Sequence, residues 1–449
     1  MNKKYFLSVL TLSSLFLLNA CSNHGKSAND FENSLIQNFC SKEFFSQNME
    51  KVNKNDDPIY IGLNSGLIAR NCGDYNISNN FFDKVEDSYK FDVDLENGGV
   101  KAAKTTTGVL VNDAIFDYDG SLYERTMVNA YKGLNFMSEG DFKNARVEFK
   151  RALLRQDKAK EYFANEIAKN KKDLEKAQKE DPNFKKNLSD ASKQINEQYS
   201  LLFKEYSTSK NYTNPYISYL ASIFYFMDRD YTLARDIFKE IKILNSKNKE
   251  IIKEWNAIRE PNKNKKYIFV VYENGLGLIK EEFKMTIPII LPDSLASAPI
   301  ALPTLKKRAL SYEFLNVNKQ KTTELVNLDD VVATEFKVNL PSLVTKTITS
   351  TILKTVVNAA VAKNDSTGGL LTLASNITTN AITQADLRSW RGLPKNISVV
   401  MVENNGEINI KDPNNNELFK KQIDKNKNVL VIFRSFAPNV APSVNIIEK

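Results

Sequence analysis

GLNFMSEGDFKNARVEFKRA, residues 133–152, reads as a helix, a turn at Gly140-Asp141-Phe142 and a second helix. Ahead of the turn, Val128, Tyr131, Leu134 and Phe136 form an apolar face. Behind it, Ala145, Phe149, Ala152 and Leu153 form another with a period near 3.6. The pattern occurs twice at an offset of 67 residues: Gly66, Gly73-Asp74-Tyr75, Ser78, Phe82 and Val85 match Gly133, Gly140-Asp141-Phe142, Ala145, Phe149 and Ala152. Asp230-Tyr231, Ala234, Phe238 and Ile241 read as a third copy, with Arg229 where the turn glycine stands in the other two.

This spacing resembles the tetratricopeptide repeat. The resemblance implies that the small residues at Gly66, Gly133, Ala145 and Ala152 let paired helices approach, that Gly73 and Gly140 open the turns, and that Phe82 and Phe149 pack between units. A stable array of this kind needs about three stacked units. Helices around 31–50 and 100–120 are therefore expected to complete or cap it; an unrelated helical bundle is the alternative. Between the second and third copies, Phe163, Ile167, Leu174 and Ala177, then Phe184, Leu188, Ala191, Ile195 and Leu202, recur at near-heptad spacing around Asp181-Pro182. That predicts a helical hairpin inserted over about 155–212, projecting as a partner-binding arm or as a solvated face.

Past the polar linker 261–266 the period changes. Tyr267 to Tyr272 is a strand, and Gly275-Leu276-Gly277 reads as a hairpin turn. The proline-rich piece Pro288 to Pro303 suits an edge strand or extended loop. Further strands are expected at Ile397 to Val402, Ile408 to Ile410 and Val429 to Phe433. Val344, Ile348, Ile352, Val356 and Ala360 mark an amphipathic helix, and Leu370, Leu373, Ile377 and Ala381 a second one. The fold class is thus a mainly α N-terminal tetratricopeptide-like helical repeat domain over 31–260, followed by a smaller α+β domain over 267–449.

At the other end, Lys3 and Lys4 precede an apolar run from Tyr5 to Leu18, and Leu18-Asn19-Ala20-Cys21 closes it. This resembles a bacterial lipoprotein signal peptide over 1–20, which implies lipid on Cys21 and a tether over 21–30. Ser22 after the cysteine implies export to the outer membrane. The run is shorter than the ~20 residues that span a bilayer.

In an oxidising compartment Cys40 and Cys72 can form a disulfide; two separate buried thiols are the alternative. The only histidine, His24, lies in the tether, which excludes histidine-dependent triads and histidine-rich zinc sites from a folded domain. Without Lys3 and Lys4 the net charge falls from +8 to +6, and the lysines form no basic block, so no nucleic-acid partner is expected.

Tyr272-Glu273-Asn274-Gly275-Leu276 with Lys280-Glu281-Glu282, Ala385-Asp386-Leu387-Arg388-Ser389-Trp390 with Leu393-Pro394, and Tyr118-Asp119-Gly120-Ser121-Leu122-Tyr123-Glu124-Arg125 together resemble an uncharacterised family of bacterial tetratricopeptide-like envelope lipoproteins. The resemblance brings kinship and no catalytic residue. Asp117, Asp119 and Gly120 open like a calcium loop but lack its later ligands, so a helix-capping turn is expected there. Asp386, Arg388 and Trp390 read as a polar site or as an ion pair above a buried ring.

The expected function is an outer-membrane-anchored lipoprotein facing the periplasm, a non-enzymatic protein-binding scaffold or regulator of the cell envelope. It needs no cofactor and no metal, and touches the membrane through its lipid. Its partners are envelope proteins, met at a groove near Asn129, Lys132 and Phe136. The alternative is lipid, glycan or small-molecule binding by the C-terminal domain in a pocket beside the 344–382 helices; a carboxylate-dependent enzyme is the lesser reading.

Overall fold

The computed structural model describes residues 28–89, 118–180, 182–208, 214–262, 264–290, 295–363 and 384–449. Cys21, the signal, His24, Asp117, the helix expected near 100–120 up to residue 117, and the helix expected from Leu370 to Ala381 lie outside the described residues.

The protein is a mixed α+β structure. Helix α1 covers 28–36, followed by α2 (Lys42–Asn53), α3 (Pro58–Asn71), α4 (Tyr75–Ser88), α5 (Leu122–Ser138), α6 (Phe142–Glu180), α7 (Pro182–Phe203), α8 (Pro215–Met227), α9 (Tyr231–Leu244) and α10 (Lys249–Arg259). The strands are β1 (Tyr267–Asn274), β2 (Ile279–Ile290), β3 (Leu295–Lys306), β4 (Asn316–Val317), β5 (Gln320–Lys321) and β6 (Thr323–Asn327), then α11 (Leu328–Lys363), β7 (Asn396–Glu403), β8 (Glu407–Lys411), β9 (Glu417–Gln422), β10 (Val429–Ser435) and β11 (Ser443–Glu448).

Three helix pairs, α3/α4, α5/α6 and α8/α9, share one joint. Gly73 and Gly140 adopt positive φ (+78° and +77°), where a side chain is strained. Their N–H groups donate to the carbonyls of Arg70 and Met137, and those of Asp74 and Asp141 to Ala69 and Phe136. Arg229 takes the same left-handed conformation (φ 63°) with the same bonds, to Phe226 and, through Asp230, to Tyr225. The third joint is therefore built despite its side chain. Arg229→Gly should stabilise the protein by about 0.5–1 kcal/mol in urea unfolding; a destabilised variant would mean that the arginine side chain contributes contacts of its own. At the close-approach position, a Cβ on Gly66 would lie 2.6 Å from the Phe82 ring and one on Gly133 2.9 Å from the Phe149 ring. Ser222 occupies the corresponding place in the third pair, with its hydroxyl donated to the Ala234 carbonyl at 2.8 Å.

One five-stranded sheet, ordered β11-β10-β1-β7-β6, lies against these pairs. β1 runs parallel to β10 and antiparallel to β7. Its alternation explains the unbroken apolar run: Phe269 and Val271 face the helices, while Ile268, Val270 and Tyr272 face a second apolar layer with Leu315, Val317, Ile408 and Ile410. Val317, Ile408 and Ile410 belong to a four-stranded sheet, β5-β4-β8-β9, and Leu315 directly precedes β4. The stack is helices, sheet, sheet.

The hairpin expected at Gly275-Leu276-Gly277 does not form, because β1 is a central strand and β2 pairs with β3 in a separate ribbon. Gly275 is instead a tight exit from the sheet: φ is +64°, and a Cβ would lie 2.7 Å from the Ala309 carbonyl oxygen. The proline-rich segment runs along the ribbon: among the described residues no further strand pairs with the outer edge of β2 or β3, and prolines without N–H are tolerated there. The helix expected at 344–360 is longer, α11 running through Pro341.

The change of period at 261–266 does not divide the core. Trp390 sits between Phe82 and Tyr131 with ring centroids 5.6 and 5.7 Å away, and Phe226 packs on Phe269 at 5.5 Å. One apolar cluster joins Phe31 to Ile258 with Phe269, Leu393, Ile397, Leu430 and Ile447.

Candidate functional site

In a stack of helix pairs the first helix of each pair lines the inner face. Here α3, α5 and α8 are buried nearly all round, α8 from Tyr216 to Met227 without a break. The five-stranded sheet and the 388–394 segment cover that face. Within this contact Glu273 of β1 accepts the hydroxyls of Tyr131 (3.0 Å) and Tyr216 (2.7 Å). Burial, then the Glu273 charge, pushes both phenols well above their ordinary range, so both remain donors. Its register neighbour Arg434 donates to the Gly392 carbonyl at 2.9 Å. Asn135 of α5 donates to Ser78 and Asn79 of α4 and accepts from Arg70 of α3, tying two helix pairs through one amide.

At the N-terminus of α5, Ser121 and Glu124 form a capping box. This is the helix-capping turn expected after Asp119-Gly120, and no cluster of His, Cys, Asp and Glu fit for a metal occurs among the described residues. Glu124, fully buried, also accepts the Tyr118 hydroxyl at 2.7 Å and the main-chain N–H of Trp390 at 2.6 Å. Glu335 of α11 takes the next two donors of the same helix end, Leu122 N–H at 2.8 Å and Tyr123 N–H at 3.0 Å.

Burial pushes the Glu335 carboxyl up to about 7; the two N–H groups pull it down, and Glu124 adds to the rise. A folded-state value above the unfolded one means that the folded form holds more protons, so its stabilising contribution is full below about pH 4.5 and falls as pH rises through 7. Relative to Glu335→Gln, the wild type should lose on the order of 2–3 kcal/mol between pH 5 and 8. Parallel stability curves for the two proteins would refute it.

The groove expected near Asn129, Lys132 and Phe136 is not a surface. Asn129 and Lys132 are buried (0% and 3% exposed). The Lys132 ammonium reaches Glu86, Asp83 at 2.7 Å and Glu148 at 3.3 Å. Asn129 donates to Glu86 and Glu148, and Arg155 bonds Glu86 and Asn129. Burial opposes the Lys132 charge, yet Glu86 and Glu148 hold its pKa above the ordinary lysine value. Phe136 is half-buried against the main core. The reason is placement: these residues sit between helix pairs, where alternating charges are consumed by one another.

Asp386 and Arg388 are paired at 2.9 Å, and Arg388 reaches Asp57 at 2.9 Å, joining the 386–390 segment to the start of α3. Trp390 lies beneath. Cys40 and Cys72 are bonded to each other, their Cα atoms 5.7 Å apart, which ties α2 to the end of α3; closing a loop of that length contributes roughly 3–4 kcal/mol in the chain-entropy account.

The most extended feature is an arm. α6 is 39 residues long in all, about 58 Å, its far part continues out beyond the second pair, and α7 returns alongside it. The β2–β3 ribbon and α11 run with them. Ala191, Ile195, Tyr199, Ile287, Ile289, Ile300, Leu302, Leu340, Val344, Ile348 and Ile352 form an apolar core of their own there. α11 from Val344 to Ile352 thus packs on this ribbon and α7. A cavity elsewhere, lined by Tyr123, Met127, Asn214, Leu278, Asp329 and Trp390 among others, leaves about 20 Å³ to the centre of a water-sized molecule, room for a water and not for a glycan.

Sequence reasoning pointed to single residues of a groove; the joints Glu273, Glu335 and Arg434 escaped it, and only the Glu-Asn-Gly end of β1, quoted as a kinship motif, marked one of them. Compared with known proteins, the chain matches no protein-family model, no curated protein and no solved structure.

Proposed function

We propose that this chain is a tetratricopeptide-like, lipid-anchored protein of the outer membrane, facing the periplasm, that acts without catalysis as a scaffold or regulator for other envelope proteins, and that it meets them through its arm. The arm supports this most: it is a long, separately packed extension, whereas the inner helical face is occupied by the protein's own sheet. The tetratricopeptide-like reading is supported by the three equivalent joints and the Gly66–Phe82 and Gly133–Phe149 contacts. The envelope reading rests on the resemblance of residues 1–21 to a lipoprotein signal and on the Cys40–Cys72 bond, which suits an oxidising compartment.

Two measurements test it. Labelled palmitate should enter the wild type and not Cys21→Ser. Crosslinking in native envelopes should recover a defined protein with the full chain and lose it when the exposed arm residue Leu201 (59% exposed) and its neighbours Glu197 and Lys204 are replaced together by alanine. Equal recovery by both would remove the arm from the proposal.

A further inference from the structure

β6 pairs with β7 only from Asn396 to Val399, so beyond that point one side of β7 has no strand. Helix α10 stands in for it. Glu250 Oε1 accepts the Met401 N–H at 2.7 Å, and Lys253 Nζ donates to the Met401 carbonyl at 2.5 Å. The two side chains are paired with each other at 2.7 Å, and Lys253 also reaches Gln320 of β5. Both main-chain groups of an exposed sheet edge thus end on one helix, which blunts the edge as a strand would.

One turn further along the helix the arrangement is of the opposite kind. Glu254 is 0% exposed, and neither of its carboxyl oxygens has a hydrogen-bond partner. The neighbouring Tyr219 hydroxyl of α8 is buried and likewise without one. A carboxylate held there would have only the Tyr219 hydroxyl and the Lys253 charge to offset its burial and the Glu250 charge, and they fall short, whereas a neutral carboxyl is tolerated.

We propose that α10 is a proton-controlled cover on the open edge of β7, docked while Glu254 is uncharged and lifting when Glu254 ionises, which frees the main-chain N–H and carbonyl of Met401. Three titratable groups act on Glu254: Glu250 and Lys253 from its own helix and Tyr219 from α8. α9 and β7, also packed on α10, bring no charge to it among the described residues. Burial, then the Glu250 charge, pushes the carboxyl up to about 8, while Tyr219 and Lys253 pull it down by less. With the value raised in the docked state, docking is strongest at low pH and weakens as pH rises towards 8, then levels off.

Hydrogen exchange followed by mass spectrometry on the full chain tests this. After correction for intrinsic rates, opening at the Met401 amide and along 251–258 should rise about tenfold per pH unit between pH 6 and 8. The amides of 269–273 in β1 should not follow. In Glu254→Gln, which keeps shape and removes the proton, opening should be flat across that range. A flat wild type, an equally steep Glu254→Gln, or β1 opening together with α10 would each overturn the proposal.

Discussion

A chain ending at Lys265 should fail to fold into a stable helical domain. The cut falls in a polar linker and would look harmless from the sequence. It removes Phe269, Val271, Leu276, Trp390, Leu393, Ile397, Val399, Leu430 and Ile432, all buried in the same cluster as the helices. Each such side chain stabilises by about 1.5–3 kcal/mol when buried, so the loss is on the order of 15–25 kcal/mol, more than the 5–15 kcal/mol by which domains are stable. It also strands the Tyr131 and Tyr216 hydroxyls, whose acceptor is Glu273. Circular dichroism with urea should show non-cooperative melting and dye binding by the truncated chain. A cooperative transition would show that the helical half has a core of its own.

Replacing Lys132 by alanine should cost about 3–5 kcal/mol, since it leaves Glu86 and Glu148 buried with much of their neutralising charge gone. The loss should shrink as pH falls, because unpaired buried carboxylates escape the penalty by taking up protons. A partner-binding lysine on a groove would behave otherwise, changing stability by no more than about 0.5 kcal/mol and abolishing recovery of the partner. Urea unfolding at pH 7 and pH 5 separates the two cases. A loss that is small and independent of pH would return Lys132 to the surface.

What could be read in advance was local. The turns at Gly73 and Gly140, the aromatics Phe82 and Phe149 and the run from Tyr267 to Tyr272 each depend on residues within a few positions of one another, and spacing reports such relations. Mixed α+β content followed from them. The third joint was legible in outline, but Arg229 disguised its turn, since a left-handed arginine is paid for by the helices on either side. The course of α11 through Pro341 was hidden because tertiary packing on the ribbon overrides a local breaker.

The covering of the inner helical face was not legible at all. It depends on which distant strand meets which helix, and an apolar helix face has the same pattern whether a partner protein or its own sheet lies on it. Lys132 illustrates the cost of that ambiguity: its amphipathic position fits a groove, while its three carboxylate neighbours come from α4 and α6 and are unrelated to it in sequence.

The parallel pairing of β1 with β10 sets a schedule. Ile268 waits for Val429, a neighbour 161 residues later in the chain. At synthesis rates of about 5–20 residues per second that interval is on the order of ten seconds or more. During it the segments that will form the helices have been synthesised, but their inner surface, with Tyr131, Tyr216 and Phe226, has nothing to rest on. Assembly of this protein is therefore decided by its last strands, and a nascent chain stalled anywhere before β10 would present an open apolar trough that must be shielded by a chaperone or lost to aggregation.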